Sequence, residues 1–179
     1  MAEIDRLLKS DPLSPTYRYG KSHLLFLLGK YGQAEDWCRR TLDIESSFLM
    51  AQFQLTQLLS FQKRYDEALA AAEDLIAVHG RFALSLGALG AVQAMAGRAS
   101  EARRTLAELD ELASRTYVLA IPRVFIYSEL GDTDAVWHWL EKSFERREPH
   151  VALINSIPFL ASLRPAPQFQ ALLRKMKLA

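Results

Sequence analysis

The side chains of this sequence that could do acid–base or metal chemistry include four histidines. The best-spaced set is Asp134, His138 and Glu141, whose i, i+4, i+7 spacing would place three potential metal ligands along one helix face. A solvated, charged helix face gives the same pattern, and a metal site would also need a fourth ligand and a supporting shell. We therefore expect no bound metal and no cofactor.

Cys38 is the only cysteine, so no disulfide can form within the chain. The neighbouring Arg39 and Arg40 would lower the pKa of an exposed thiol, whereas a buried cysteine packs as a small apolar residue. We favour the packing interpretation. The histidines lie in different segments of the chain, at His23, His79, His138 and His150. No GxSxG, HExxH or phosphate-binding loop occurs, so we expect a protein without enzymatic activity.

The charge balance excludes several classes of partner. Twenty-two Lys and Arg residues stand against 21 Asp and Glu residues, which leaves no net field to collect phosphates or to hold an anionic membrane. We expect neither nucleic acid nor membrane as a partner. The N-terminus is acidic rather than basic and apolar, and a single cysteine suits a reducing compartment, so we expect a cytoplasmic protein.

The strongest pattern is an internal repeat. The segments KYGQAEDW, RYDEALAA, RASEARRT and DTDAVWHW each contain an alanine at a comparable point, namely Ala34, Ala68, Ala102 and Ala135. The first two intervals between these alanines are equal, and the third is shorter by a single position. Their common period of about 34 residues is typical of a stack of two-helix units, none of which could bury its apolar face alone.

Each unit is predicted to contain two helices, of about 12 to 15 residues, joined by a tight turn. Glycines at the turns allow positive φ where a helix must end, namely Gly29, Gly32, Gly97 and Gly131. Pro122 stands within the predicted first helix of the fourth unit. It should either kink that helix or mark a late helix start at Ile121.

The period, together with Tyr31 and Tyr65 three residues before their alanines, resembles the tetratricopeptide repeat (TPR) family over about residues 15–148. The resemblance implies an all-α, α–α superhelix of about four repeats forming one domain, residues 1–179. The N-terminal helix, residues 1–14, would be either a cap or the last helix of a preceding unit. Residues 149–179 would form capping helices whose apolar residues seal the open end, namely Ile157, Phe159, Leu160, Leu163, Phe169, Leu172 and Leu173.

The same resemblance implies where a partner would bind, because the first helices of TPR units line a concave groove. Carried over by register, the groove residues are Tyr19, His23, Phe26, Phe53, Gln57, Phe61, Ala88, Ala91, Met95, Ile121 and Phe125. These side chains are mainly apolar and aromatic, which suits an apolar peptide, a helix or a second copy of the chain. The aromatic residues could equally belong in part to the core.

Taken together, these patterns predict a non-enzymatic scaffold that presents an apolar groove to a segment of a partner protein. The alternative is a regulatory or sensor module of a larger bacterial signalling or transcription protein, because the final unit and the following residues resemble the C-terminal TPR arrays of such proteins. We expect charged residues in place of Phe53 and Phe125 to abolish partner binding and leave the helices intact.

Overall fold

The computed structural model describes residues 1–178, which form α-helices and 3₁₀ helices and contain no strand. The all-α class predicted from the sequence is confirmed. The α-helices are α1 (Ala2–Ser10), α2 (Pro15–Leu27), α3 (Tyr31–Leu42), α4 (Leu49–Phe61), α5 (Tyr65–His79), α6 (Ala83–Met95), α7 (Ala99–Ala113), α8 (Ile121–Leu130), α9 (Thr133–Glu145) and α10 (Pro167–Lys175). The 3₁₀ helices are η1 (Pro149–Ser156) and η2 (Pro158–Leu163). None of the helices within residues 1–178 is both long and apolar enough to cross a membrane.

Eight of the helices pair into four hairpins, here called unit 1 (α2–α3), unit 2 (α4–α5), unit 3 (α6–α7) and unit 4 (α8–α9). The second helices begin at a constant interval, at Tyr31, Tyr65, Ala99 and Thr133. Each first helix contacts the first helix of the next unit. The hairpins therefore stack in chain order, as a solenoid does, and each one is buried by its neighbours.

The turn inside each hairpin depends on one residue with positive φ. These residues recur at the same constant interval, at Gly29, Lys63, Gly97 and Gly131, with φ between 61° and 76°. The prediction for Gly32 was wrong, because Gly32 lies inside α3. In unit 2 a lysine adopts the left-handed conformation that glycine adopts in the other three turns.

The buried residue at the crossing of the two helices lies at a fixed distance from the turn. This spacing corrects the alignment of unit 4. Ala34, Ala68 and Ala102 each lie five residues after the positive-φ residue and are fully buried. In unit 4 that position is Val136, which is also fully buried, whereas Ala135 is half-buried. The period is therefore the same in all four units, and the shorter last interval in the sequence came from matching alanine to alanine.

The first helix of unit 4 starts late. α8 begins at Ile121, so Pro122 occupies its first turn, where the missing N–H group breaks no helical hydrogen bond. Of the two predictions for Pro122, the late helix start is the one that the structure contains. The buried carboxylate of Glu148 accepts hydrogen bonds from the Ala120 amide at 2.9 Å and from the Tyr117 hydroxyl at 2.8 Å, which stabilises the segment before the helix.

The two ends differ from the repeats. α1 packs on α2, and Asp5 accepts a hydrogen bond from Lys21 at 2.5 Å. At the other end, the predicted capping helices are replaced over residues 149–163 by the two 3₁₀ helices, which start at Pro149 and Pro158. Only α10 is an α-helix there, and Ala179, the last residue of the predicted cap, lies outside the described residues.

Candidate functional site

The candidate site is the surface formed by the first helices of the four units, here called the first-helix surface. It is defined by three repeat positions. The first position holds Tyr19, Phe53, Gly87 and Ile121; the second holds His23, Gln57, Ala91 and Phe125; the third holds Leu27, Phe61, Met95 and Glu129. Because each set recurs with the period of the stacked hairpins, its members form a row across the solenoid.

The C-terminal segment of the chain packs on this surface. Phe159, in η2, stacks on Phe125 with ring centroids 4.7 Å apart and meets Phe61 edge-on at 5.0 Å. The hydroxyl of Ser128 donates a hydrogen bond to the Phe159 carbonyl at 2.7 Å. Phe159 is only 5% exposed, so one aromatic side chain is enclosed between α4 and α8.

The middle of the first-helix surface is filled around Phe159. Phe53 and Phe125 are each 8% exposed, and Gln57, Ala91 and Ile121 are buried. A cavity of about 10 Å³ remains beside Phe159, close to the smallest space that holds one water molecule. These predicted groove residues therefore belong to the core in this conformation, and their role in partner binding stays a prediction.

The burial of Phe53 and Phe125 changes what charged substitutions at these two positions are expected to do. We expected charged residues at Phe53 and Phe125 to leave the helices intact. Both side chains belong to the largest apolar cluster, so a charge there would lack water and a partner. Such variants would lose stability as well as any binding, and milder substitutions are needed.

The opposite end of the surface, on α2, is more accessible. Tyr19 and His23 are half-buried, and their rings stack with centroids 5.7 Å apart. Burial raises the pKa of Tyr19 to about 12 and lowers the pKa of His23. The neutral forms are therefore favoured, and this end offers two uncharged rings to a ligand.

A series of aromatic contacts joins the two ends. Phe26 lies 6.4 Å from His23 and 5.5 Å from Phe61, measured between ring centroids, and Phe61 in turn meets Phe159. Phe26 is 2% exposed because it occupies the repeat position of Ser60 rather than that of Phe61. Phe26 therefore lies in the core behind the first-helix surface. Its neighbour in sequence, Leu27, belongs to the third row and is exposed.

Three members of the rows were not among the predicted groove residues, namely Leu27, Gly87 and Glu129, and the segment that covers the surface was not predicted either. Glu129 is half-buried in the third row, and burial raises the pKa of its carboxyl group. Phe159 was predicted to seal the end of the solenoid. The position of Phe159 could have been suspected from the prolines that precede it. Pro149 and Pro158 favour short, separate turns over a continuous capping helix.

The candidate chemical residues are dispersed. Asp134, His138 and Glu141 are exposed, and among residues 1–178 no three such side chains come close enough to hold a metal ion. Cys38 is fully buried and its thiol donates a hydrogen bond to the Ala51 carbonyl at 3.1 Å. Burial raises the pKa of the Cys38 thiol to about 12, so it packs as an apolar residue.

Comparisons with known proteins support the architecture. The sequence model of the family described as tetratricopeptide repeat matches residues 2–47, which include α1, α2 and α3. Among solved structures, the chain is similar to YrrB, described as a TPR protein with an unusual peptide-binding site, at 15% identity and a TM-score of 0.55. The similarity covers 96% of this chain and 89% of YrrB. No curated protein sequence matches the chain. The chain therefore has the fold of a TPR solenoid.

Proposed function

We propose that this chain is a non-enzymatic protein-interaction scaffold whose first-helix surface receives an apolar segment of a partner protein. The observation that carries the proposal is the position of Phe159. The first-helix surface holds a short segment of the chain itself, by two aromatic contacts and by one hydrogen bond to its backbone.

The contacts of Phe159 indicate which partner segment would fit. Phe125 stacks on an aromatic ring that Phe61 meets edge-on, and Ser128 donates a hydrogen bond to a backbone carbonyl, a group that every peptide has. A partner segment with one large apolar side chain would use the same contacts. Tyr19 and His23 extend the surface toward α2, and YrrB supports the proposal because it is described as having a peptide-binding site.

The nature of the contacts also predicts how binding depends on salt. The three rows contain no Lys, Arg or Asp, and their single acid is Glu129. Affinity would come from buried apolar area, which ionic strength affects little. A partner that binds through its charges would therefore not suit this surface.

The test uses the segment itself as a probe. In the variant Phe159→Ala the space of the ring becomes available, and a labelled peptide of residues 157–163 (IPFLASL) is added in solution. We expect the peptide to bind this variant at least about tenfold more tightly than it binds the wild type, a difference of about 1.4 kcal/mol, measured by fluorescence anisotropy. The wild type binds less tightly because its own Phe159 occupies the site.

The controls distinguish specific binding at the first-helix surface from nonspecific binding. The peptide IAFLASL keeps the aromatic residue, whereas IPALASL lacks it, so only the first should bind the variant. Circular dichroism of Phe159→Ala checks the fold, since removal of a buried phenylalanine costs about 3–5 kcal/mol. Equal affinity of a folded variant for IPFLASL and IPALASL would show that the first-helix surface does not recognise an apolar side chain.

The same titration bears on the second candidate, a regulatory module of a larger protein. This alternative is favoured by the fact that the surface is already occupied within the chain, so partner binding would release η2. A large difference in affinity between the wild type and Phe159→Ala would mean that the segment competes with partners. A small difference would favour a simple scaffold.

A further inference from the structure

Glu129 is the only acidic side chain in the three rows of the first-helix surface, and units 1, 2 and 3 have the apolar residues Leu27, Phe61 and Met95 at its repeat position. The Glu129 side chain is half-buried, and burial raises the pKa of its carboxyl group. Among residues 1–178, no group donates a hydrogen bond to this carboxylate or forms an ion pair with it. A half-buried charge without a partner is costly, so a cation beside Glu129 would be stabilised and would favour the ionised form.

Glu129 adjoins the contacts that hold η2. It lies one helical turn after Phe125, on the same side of α8, and it directly follows Ser128. Phe125 stacks on the Phe159 ring, and the Ser128 hydroxyl donates a hydrogen bond to the Phe159 carbonyl at 2.7 Å. The carboxylate is therefore the next polar group along α8 after the two residues that bind the ring and the backbone of Phe159.

The direction of η2 leads from Phe159 toward this end of α8. In a 3₁₀ helix each carbonyl points toward the amide three residues further on, so the Phe159 carbonyl points toward the position of Ser162. Because the Ser128 hydroxyl meets this carbonyl, the chain after Phe159 runs toward Ser128 and Glu129. Side chains three residues apart eclipse one another in such a helix, and Ser162 is exposed. A long side chain at residue 162 would therefore extend on the side of η2 that carries Phe159.

The chain's own segment supplies no charge to Glu129. Residues 157–163 (IPFLASL) contain no charged side chain. The cation that follows them is Arg164, and its guanidinium donates a hydrogen bond to the Ile157 carbonyl at 3.3 Å rather than to Glu129. The segment η2 thus uses the aromatic contacts and the hydrogen bond from Ser128, and it leaves the carboxylate without a partner.

We infer that a partner segment of the first-helix surface carries a lysine or arginine three residues after its large apolar side chain, and that this cation pairs with Glu129. The inference rests on the proposed function, because it names the partner of the same surface. The apolar side chain supplies most of the affinity, and the cation distinguishes one segment from another. A partner of this kind gains a contact that η2 lacks, which helps it to displace η2.

The distribution of charge on the surface sets the limit to one cation. The three rows contain no second acid, so further cations on a partner would find no carboxylate to pair with. An acid on the partner at the same place would meet Glu129 as a like charge. Since Glu129 is half-buried, salt screens the pair less than it screens an exposed pair, and the affinity stays only weakly dependent on ionic strength.

The first test keeps the whole chain and uses its own segment as the ligand. Ser162→Lys places a cation three residues after Phe159, and Ser162→Glu places an acid there. We expect the Tm of the lysine variant to lie about 2–4 °C above that of the glutamate variant, measured by circular dichroism. In the background of Glu129→Gln, which keeps the size and removes the charge, this difference should fall below about 1 °C.

Matched variants locate the effect. Ala161 is exposed like Ser162 but lies on another side of η2, so the difference between Ala161→Lys and Ala161→Glu should not depend on Glu129. Glu145→Gln removes the same charge from an exposed position of α9 and should leave the effect of Ser162→Lys unchanged. The inference is overturned by a difference between the Ser162 variants that persists in Glu129→Gln, or by no difference at all.

The second test asks whether a separate segment uses the same pair. The labelled peptides IPFLAKL and IPFLAEL are added to Phe159→Ala, and their affinities are measured by fluorescence anisotropy. We expect IPFLAKL to bind at least about tenfold more tightly than IPFLAEL, because an attraction replaces a repulsion. Adding Glu129→Gln should reduce this ratio below about threefold, whereas adding Glu145→Gln should not.

The outcomes separate this inference from the proposed function. Equal affinities for IPFLASL, IPFLAKL and IPFLAEL, all above that for IPALASL, would support an apolar binding surface and overturn only the role of Glu129. No binding of any of these peptides to folded Phe159→Ala would overturn the proposed function and this inference with it. If Phe159→Ala does not fold, the Ser162 variants, which keep Phe159, decide the question by themselves.

Discussion

The two ends of the solenoid treat the same repeat positions differently. At the C-terminal end, Arg123 is 2% exposed and Ile126 is fully buried, because unit 3 covers them. In unit 1, where α1 is the described helix before α2, Lys21 is half-buried and Leu24 is exposed. The comparison teaches that the burial of a repeat position depends on the unit packed against it, because no two-helix unit buries its apolar face alone.

The largest expected effect concerns the buried cation of unit 4. Arg123 donates hydrogen bonds to the Asp110 carboxylate at 2.8 Å and to the Leu109 carbonyl at 2.9 Å, and its guanidinium lies 4.4 Å from the centre of the Trp139 ring. The change Arg123→Met removes these contacts at similar volume. We expect a loss of about 3 kcal/mol in the free energy of unfolding, measured by urea denaturation.

The matched change at the other end is Lys21→Met. Lys21 holds the same repeat position and pairs with Asp5, and its side chain is 19% exposed against 2% for that of Arg123, while units 2 and 3 have Leu55 and Leu89 there. A partly solvated pair contributes little, so we expect a loss below about 1 kcal/mol. Equal losses for the two variants would mean that the ends do not differ as described.

A smaller effect is expected where α6 and α8 approach each other. A Cβ atom on Gly87 would lie 2.7 Å from the Pro122 Cβ and 3.0 Å from its Cα, whereas one on Gly20 would meet only the mobile end of Ile4 at 3.2 Å. We expect Gly87→Ala to destabilise the chain by about 1–3 kcal/mol and Gly20→Ala to be neutral or stabilising. Thermal unfolding of the two variants measures this, and a neutral Gly87→Ala would contradict the close contact between α6 and α8.

The smallest effect is the pH dependence contributed by His23 at the N-terminal end. Burial lowers the pKa of His23 in the folded chain, so the unfolded chain takes up a proton first as the pH falls. Its stabilising contribution is present above the unfolded pKa of about 6.5 and declines below it. We expect His23→Gln to reduce the fall in Tm between pH 7.5 and 5.5 by a few degrees, since about 1 kcal/mol corresponds to about 2–4 °C in a chain of this size. The same change at the exposed His138 is the control.

Much of the fold could be predicted because the repeat is local. Each unit carries its own turn residue and its own apolar spacing, so the period and the helix pairs follow from neighbouring residues, whereas Pro122 left a kink and a late start both open. The alignment of Ala135 failed because residue identity was weighed above distance from the turn. The turn at Gly131 sets the register, and it places Val136 at the crossing.

The candidate site was less predictable. The repeat register places Phe53, Phe61 and Phe125 at related positions, and they pack in one cluster, but the register does not show that a segment far along the chain covers them. The contact of Phe159 with Phe61 joins residues more than two repeats apart, and no local pattern encodes such a distance. The C-terminal residues look apolar enough to cap an end, and the prolines of η1 and η2 redirect them.

The sequence by itself determined that this chain forms two-helix units with a fixed period, because helix pairs and turns depend on residues a few positions apart. Only the tertiary structure decided which apolar side chains are buried and which stay exposed. Leu24 and Ile126 have the same repeat position and nearly the same chemistry, yet Leu24 is 36% exposed and Ile126, which packs with residues of unit 3, is fully buried. Burial depends on all neighbours in space, and for Phe159 those neighbours, Phe61 and Phe125, lie in other units of the chain.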